Sequence, residues 1–177
     1  MATWNSRGLR GSSLEEMINF TNETYRKKGI ALIQKVPTPI KPITIDKTTR
    51  HITLGYFDKK SSVDYIGVVQ GVPICFDAKE CHSETFSLQN IHEHQYEFMK
   101  AYEHQNAVSF IILSFTEKNE TYYVPFRDIE SFYMRGTRGG RKSVRYDEID
   151  KTFLIKGSMG VPLHYLQQLQ MDLQFRD

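Results

Sequence analysis

Two runs of alternating side chains, Asp64 to Val69 and Val72 to Asp77, are separated only by Gln70-Gly71. A two-residue connection between such runs signals an antiparallel hairpin and leaves one register. Paired positions then sum to 141, which puts Asp64 opposite Asp77 and Ser62 opposite Lys79. Strand side chains alternate faces, so these four project from one side. Val63, Tyr65, Phe76 and Ala78 take the other side, which is apolar enough to pack on a core. Opposed Cβ atoms stand roughly 4.5–5.5 Å apart, where two carboxylates repel and destabilise the sheet. A divalent cation between them turns that cost into a site, and hard oxygen ligands favour magnesium, with manganese able to substitute. Such an ion activates water and binds phosphate oxygens where negative charge builds during phosphodiester cleavage. Lys79 adds a positive charge beside the phosphate. Asp64 followed thirteen positions on by Asp77-x-Lys79 is weak as a bare pattern. An exposed edge hairpin with a partly screened ion cluster is the alternative.

Around this hairpin the chain alternates helical and extended segments. Ser12 or Ser13 caps a helix with Glu15 or Glu16 three positions on, and Leu14, Met17, Ile18, Thr21 and Tyr25 give it an apolar face before Gly29 stops it. Ile30 to Ile33 is a short buried strand. Pro37, Pro39 and Pro42 then exclude regular helix. Ile43 to Ile45 and His51 to Phe57 form a second hairpin, projecting over roughly residues 35–60. A helix over 89–104, an apolar strand over 108–115, a strand over 121–124, a helix from Pro125 to Met134, a Gly/Arg loop over 135–145 and a last helix over 163–173 complete the chain. The expectation is a single α/β domain over 1–177, with a central mixed sheet, flanking helices and a projecting β-hairpin stalk.

A formal net charge of +2 conceals a strong separation. Residues 1–60 hold 11 Lys/Arg against 5 Asp/Glu, residues 61–134 hold 4 against 11, and residues 135–177 hold 8 against 5. Two basic flanks around an acidic middle suit a polyanion with a cation-loving centre, although a patchy solvated surface has the same sums. Arg135, Arg138, Arg141, Lys142 and Arg145 share an acid-free stretch that suits phosphate binding. Hydrophobic residues at 40% and 22 aromatics describe a packed globular chain, not a disordered one. No apolar run approaches the roughly 18 residues of a membrane span, and Met1 to Arg10 contain no secretory core, so the expected address is cytoplasmic.

Several other signals carry less. Cys75 and Cys81 make neither a disulfide framework nor a zinc site, and Cys75 is expected to be a packed thiol. His92 and His94, two apart on a helix, share no face. Arg141 stands where a nucleotide-binding loop ending at Lys142-Ser143 needs glycine. Tyr96, Phe98, Tyr102, Phe110, Phe115 and Phe126 are expected in the core.

Asn5 to Gly8, Leu14 to Asn19 (LEEMIN), Gly29 to Ile40 (GIALIQKVPTPI), Asp64 to Val68, Ala78 to Glu80, Leu88 to Gln95 (LQNIHEHQ) and Gly139 to Ser143 (GGRKS) together carry a resemblance. Nearly end to end, the sequence resembles the RecU family of Holliday junction resolvases, a branch of the PD-(D/E)xK nuclease superfamily. The resemblance implies a restriction-endonuclease-like fold and a magnesium-dependent homodimer that binds four-way DNA and nicks two opposed strands symmetrically. It implies that Asp64 and Asp77 hold the metal, with Ser62 and Gln95 at the remaining metal positions, and that Lys79 stabilises the transition state. The family typically has Glu at position 77 and Thr at position 62. The stalk would enter the junction centre, with Arg7, Arg10, Lys41, Lys47, Arg50, Lys59, Arg138, Arg141 and Lys142 as the DNA contacts. A RecA-type recombinase is a further candidate partner. The alternative is a junction-binding, recombinase-modulating protein with weak or no cleavage.

Overall fold

The computed structural model of the protein describes residues 13–57 and 62–176. Helix α1, Leu14–Lys27, opens with Ser13 accepting from Glu16 N and Glu16 accepting from Ser13 N, the reciprocal capping box expected from the sequence. Four strands follow: β1 (Leu32–Lys35), β2 (Ile40–Ile45), β3 (Ile52–Phe57) and β4 (Tyr65–Val69). The remainder comprises β5 (Val72–Cys81), β6 (Thr85–Ser87), α2 (Glu93–Glu103), β7 (Val108–Phe115), β8 (Glu120–Pro125), α3 (Phe126–Thr137), β9 (Ser143–Arg145) and α4 (Leu166–Gln174). Among the described residues, no helix is long and apolar enough to cross a membrane.

Five strands form one mixed sheet in the order β1-β4-β5-β7-β8. The β4–β5 hairpin has the expected register, from Val69 opposite Val72 to Tyr65 opposite Phe76, and Gln70 and Gly71 both turn at positive φ. Strand β5 does not lie at an edge. Its far side pairs in parallel with β7, Ile74 opposite Val108 through Cys81 opposite Phe115. It therefore lies between two neighbours and is buried on both faces from Ile74 to Asp77.

Alternation sorts the core into two layers. Tyr65, Ile74, Phe76, Phe110, Ile112 and Tyr123 pack with Leu14, Ile18 and Tyr25 of α1 and Leu166 and Leu169 of α4. Cys75, Ile111, Leu113 and Phe115 pack with Tyr96 and Met99 of α2 and Phe126 and Ile129 of α3. The face carrying Asp77 is thus roofed by α2 and α3. On the other face, Tyr65, Phe76, Phe110 and Tyr123 form a row of stacked rings with centroids 4.7, 4.8 and 4.2 Å apart. Helix α4 is tied down by the buried Asp172, which accepts from Tyr123 Oη at 2.7 Å and from Arg176 Nη2 at 3.1 Å.

Strands β2 and β3 form a separate two-stranded sheet, as the second hairpin predicts, and every residue in them is exposed. At its tip, Asp46 Oδ1 accepts from Thr48 N and Thr49 N, and Arg50 takes a positive φ.

Three expectations need correction. Regular pairing of β4 begins at Tyr65, so the alternation does not extend back to Ser62; Ser62 is not laddered to Lys79, and Val63 packs with the Cys75 layer instead of with Tyr65. The predicted helix over 89–104 is broken, with a 3-10 turn at Leu88–Asn90 before α2 starts at Glu93. Residues 135–145 are more regular than a loop, since α3 continues to Thr137 and β9 pairs with β6.

Two outcomes follow from the packing. A Cβ on Gly67 would lie 2.3 Å from Leu32 O and 2.7 Å from Ile33 Cα, so Gly67→Ala must push β1 off the sheet. The expected loss is about 1–3 kcal/mol in urea unfolding. His164 Nδ1 is hydrogen-bonded to Tyr25 Oη at 2.8 Å, and burial, then the Lys28 charge, hold its pKa below the usual 6.5. The unfolded chain therefore binds this proton more readily, and stability falls as pH drops through the ordinary histidine range. Melting temperature followed from pH 7.5 down to 5 should show that step, and His164→Gln should flatten it.

Candidate active site

The turn at Gln70-Gly71 sets where the acids meet. Just beyond the last laddered pair, Asp64 N donates to Asp77 Oδ1 at 2.8 Å, and Ala78 N donates to Asp64 Oδ2 at 3.0 Å. Each carboxylate is fastened by the backbone of the other's segment, so the expected facing pair is present. Lys79 Nζ lies 2.9 Å from Asp77 Oδ2, on the same face one alternation on. That approach has the distance of an ion pair without hydrogen-bond geometry, and Asp77 Oδ2 is a buried acceptor with no hydrogen-bond donor. Asp77 has 0% exposure, whereas Asp64 and Lys79 are half-buried.

Electrostatics follow from this burial. Desolvation raises the Asp77 pKa, Lys79 pulls it down, and Asp64 pushes it up; the net shift is upward. The site thus holds a carboxyl that resists ionisation, a cost that a cation at Oδ2 would relieve.

Helix α2 brings Gln95 over the strand. Gln95 Oε1 accepts from His92 N at 3.1 Å, closing the first turn of α2, and from Lys79 Nζ at 3.4 Å. Ser62 is half-buried and lies two residues before Asp64. Among the described residues, no three His, Cys, Asp or Glu side chains cluster as a metal cage. Asp64 and Asp77 Oδ2, which faces the Lys79 ammonium, nonetheless fit a hard divalent ion that keeps most of its waters. Gln95 has its oxygen turned to Lys79 and the helix start.

The predicted DNA contacts divide. Lys41, Lys47 and Arg50 are exposed on the β2–β3 hairpin, and Arg138 and Lys142 are exposed after α3. Arg141 is paired to Glu148, which also takes Arg135 Nη1 at 2.5 Å. The acid-free stretch is therefore not acid-free in space. Arg7, Arg10 and Lys59 lie outside the described residues.

Sequence reasoning missed two acids, Glu80 and Glu148. Glu80 accepts from Leu14 N at 2.9 Å, tying the start of α1 to the strand that carries Lys79, and nothing in the spacing announces it. Glu148 lies just past the counted stretch. His92 and His94 were expected to share no face; because His92 is the N-cap, outside the helical spiral, their rings stack with centroids 5.4 Å apart. Cys75 is the expected packed thiol: fully buried, with Sγ 3.3 Å from Ser109 Oγ and a pKa pushed up to about 12 by burial.

A mixed sheet layered by helices, with two interlocked carboxylates and a lysine where β4 gives out beside the middle strand, defines a class of α/β proteins with a carboxylate–lysine centre. The family model described as recombination protein U matches residues 9–171, and the chain belongs to this RecU family. The Holliday junction resolvase RecU of Leuconostoc mesenteroides subsp. mesenteroides is 37% identical over 172 residues, covering 94% of this chain and 83% of that protein. The protein of the same name from Bacillus thuringiensis (strain Al Hakam) is 42% identical over 144 residues, 79% of this chain and 72% of the relative.

The raised Asp77 pKa has a measurable sign. An acid whose folded pKa lies above its unfolded value costs stability at neutral pH and ceases to do so once acidification protonates it. Asp77→Asn, permanently neutral, should therefore melt higher than the metal-free parent at pH 7, and the gap should close on acidification. A lower melting temperature at pH 7 would contradict the assignment.

Proposed function

We propose that this protein is a metal-dependent, structure-selective endodeoxyribonuclease that resolves four-way DNA junctions, nicking two opposed strands as a symmetric homodimer. The observation that carries the reading is the Asp64, Asp77 and Lys79 centre in a chain 36–42% identical to several proteins named Holliday junction resolvase RecU. When bound, magnesium supplies charge neutralisation on the scissile phosphate and acidification of attacking water. Asp64 and Asp77 hold it, their geometry preset by Asp64 N and Ala78 N. Lys79 sits where a phosphate oxygen carries growing charge, and Gln95, fixed by the first turn of α2, limits where the ammonium can go.

Branched DNA suits the hairpin. Lys41, Lys47 and Arg50 hold position through phosphates without reading sequence, as recognition of shape requires. The same ribbon exposes Ile40, Ile43, Ile45, Ile52, Leu54 and Phe57, each at least half accessible. A patch of that kind calls for a covering surface, and a second copy of this chain would supply both that cover and the second active site. Acting on branched DNA, the protein works in the cytoplasm, where a RecA-type recombinase is its candidate partner.

The second reading, junction binding without cleavage, is favoured by one observation. Asp77 is short, fully buried and partly neutralised by Lys79. Cleavage of a mobile junction beside matched duplex, with magnesium or manganese, decides. The wild type should nick the junction in preference to the duplex, while Asp64→Ala and Lys79→Ala each lose about 100-fold or more in rate and largely keep binding. Equal rates on both substrates would sink the resolvase reading. Junction binding with no nicking, restored by Asp77→Glu, would establish the second.

A further inference from the structure

Five cations between Arg135 and Arg145 stand near one another, yet they are not equivalent. Glu148 meets two of them. Its Oε1 accepts from Arg135 Nη1 at 2.5 Å, and its Oε2 accepts from Arg141 Nη2 and from Arg145 N at 2.8 Å. The same two guanidinium groups also converge on the carbonyl of Ser143, Arg135 Nη2 at 2.6 Å and Arg141 Nε at 3.2 Å. Two arginines, one carboxylate and one carbonyl thus close a ring around the turn from the end of α3 into β9. Arg138 and Lys142, on the segment this ring encloses, are exposed and form no ion pair among the described residues.

The enclosed segment is fastened toward the active site. Lys142 O accepts from Leu88 N at 3.1 Å, β9 pairs with β6, and the 3-10 turn at Leu88–Asn90 leads directly into the α2 start that carries Gln95 against Lys79. The Lys142 stem lies against Gly136, whose absent side chain leaves it room, with an added Cβ 3.4 Å from Lys142 Cγ. Beside it, Lys142 lines a groove with Gln89, Tyr133 and Thr137.

We propose that Glu148 is a positioning residue for DNA: it locks Arg135 and Arg141 into a brace that presents Arg138 and Lys142 to phosphates flanking the active site. This rests on the nuclease reading above. Arg141, expected from the sequence to touch DNA, instead shapes the segment that does. A guanidinium already neutralised by a carboxylate releases no counterion when DNA arrives, so it adds nothing to the salt dependence of binding, whereas each free cation that takes a phosphate adds about 0.9 to the slope.

Binding of a four-way junction by the full-length protein, measured from about 50 to 200 mM salt, separates the roles. Arg138→Ala and Lys142→Ala should each flatten the plot of log affinity against log salt by about 0.9. Arg141→Gln should weaken binding several-fold at fixed salt and keep the parental slope, and Glu148→Gln, which frees two guanidinium groups from their carboxylate, should likewise weaken binding at fixed salt. Tighter binding by Glu148→Gln would mean that the carboxylate merely competes with phosphate, and would overturn the proposal. So would a flattening of about 0.9 in Arg141→Gln, a variant at an exposed position that decides the matter alone if Glu148→Gln melts below the assay temperature. A steep slope in the wild type that both Arg138→Ala and Lys142→Ala retain would overturn this assignment and leave the nuclease reading standing. A wild type with neither salt-dependent junction binding nor cleavage would overturn both.

Discussion

Four stacked rings, one on each of β4, β5, β7 and β8, set the register on which everything else depends. Each such contact contributes about 0.5–1.5 kcal/mol beyond the area it buries, and all of them need the same alignment. A slip of one residue between β4 and β5 would carry Phe76 out of the row and drive Asp77 into the aromatic layer, where no donor waits. The arrangement that stabilises the sheet is therefore the one that brings Asp64 and Asp77 together.

Along β5 the surroundings change quickly. Ile74 to Asp77 are enclosed on both faces, while Ala78 and Lys79 are half-buried and Glu80 is exposed. The acids sit at that boundary, one fully desolvated and one half in water, with an ammonium between enclosure and solvent. The raised Asp77 pKa is the electrostatic cost of the position, and the Lys79 charge and the backbone donor Asp64 N offset only part of it. A carboxyl kept partly unsatisfied by its fold is suited to a cation that arrives later.

Much of this was legible in the sequence because it is local. Gln70-Gly71 between alternating runs specifies a hairpin, and its register follows by counting; the capping box of α1 and the second hairpin are equally short-range signals. The central place of β5 was not legible, since its partner β7 is a parallel strand more than thirty residues away and no local pattern encodes that pairing. Ser62 was misaligned because alternation was carried past the point where the strand starts. Glu148 is hidden for the opposite reason, lying three residues beyond the acid-free stretch that ends at Arg145. Linear windows see runs of one charge and miss the acid that folds back on them.

Buried two residues before Asp77, the Cys75 thiol has no route to solvent while the sheet is intact. Ser109 Oγ, which donates to Met99 O at 3.0 Å, anchors it from β7. A thiol this hard to ionise reacts with nothing in the closed state, so chemical labelling must wait for the strands around it to part. A silent clock thus lies beneath the two interlocked acids: the rate at which Cys75 becomes modified counts how often the centre of the sheet opens.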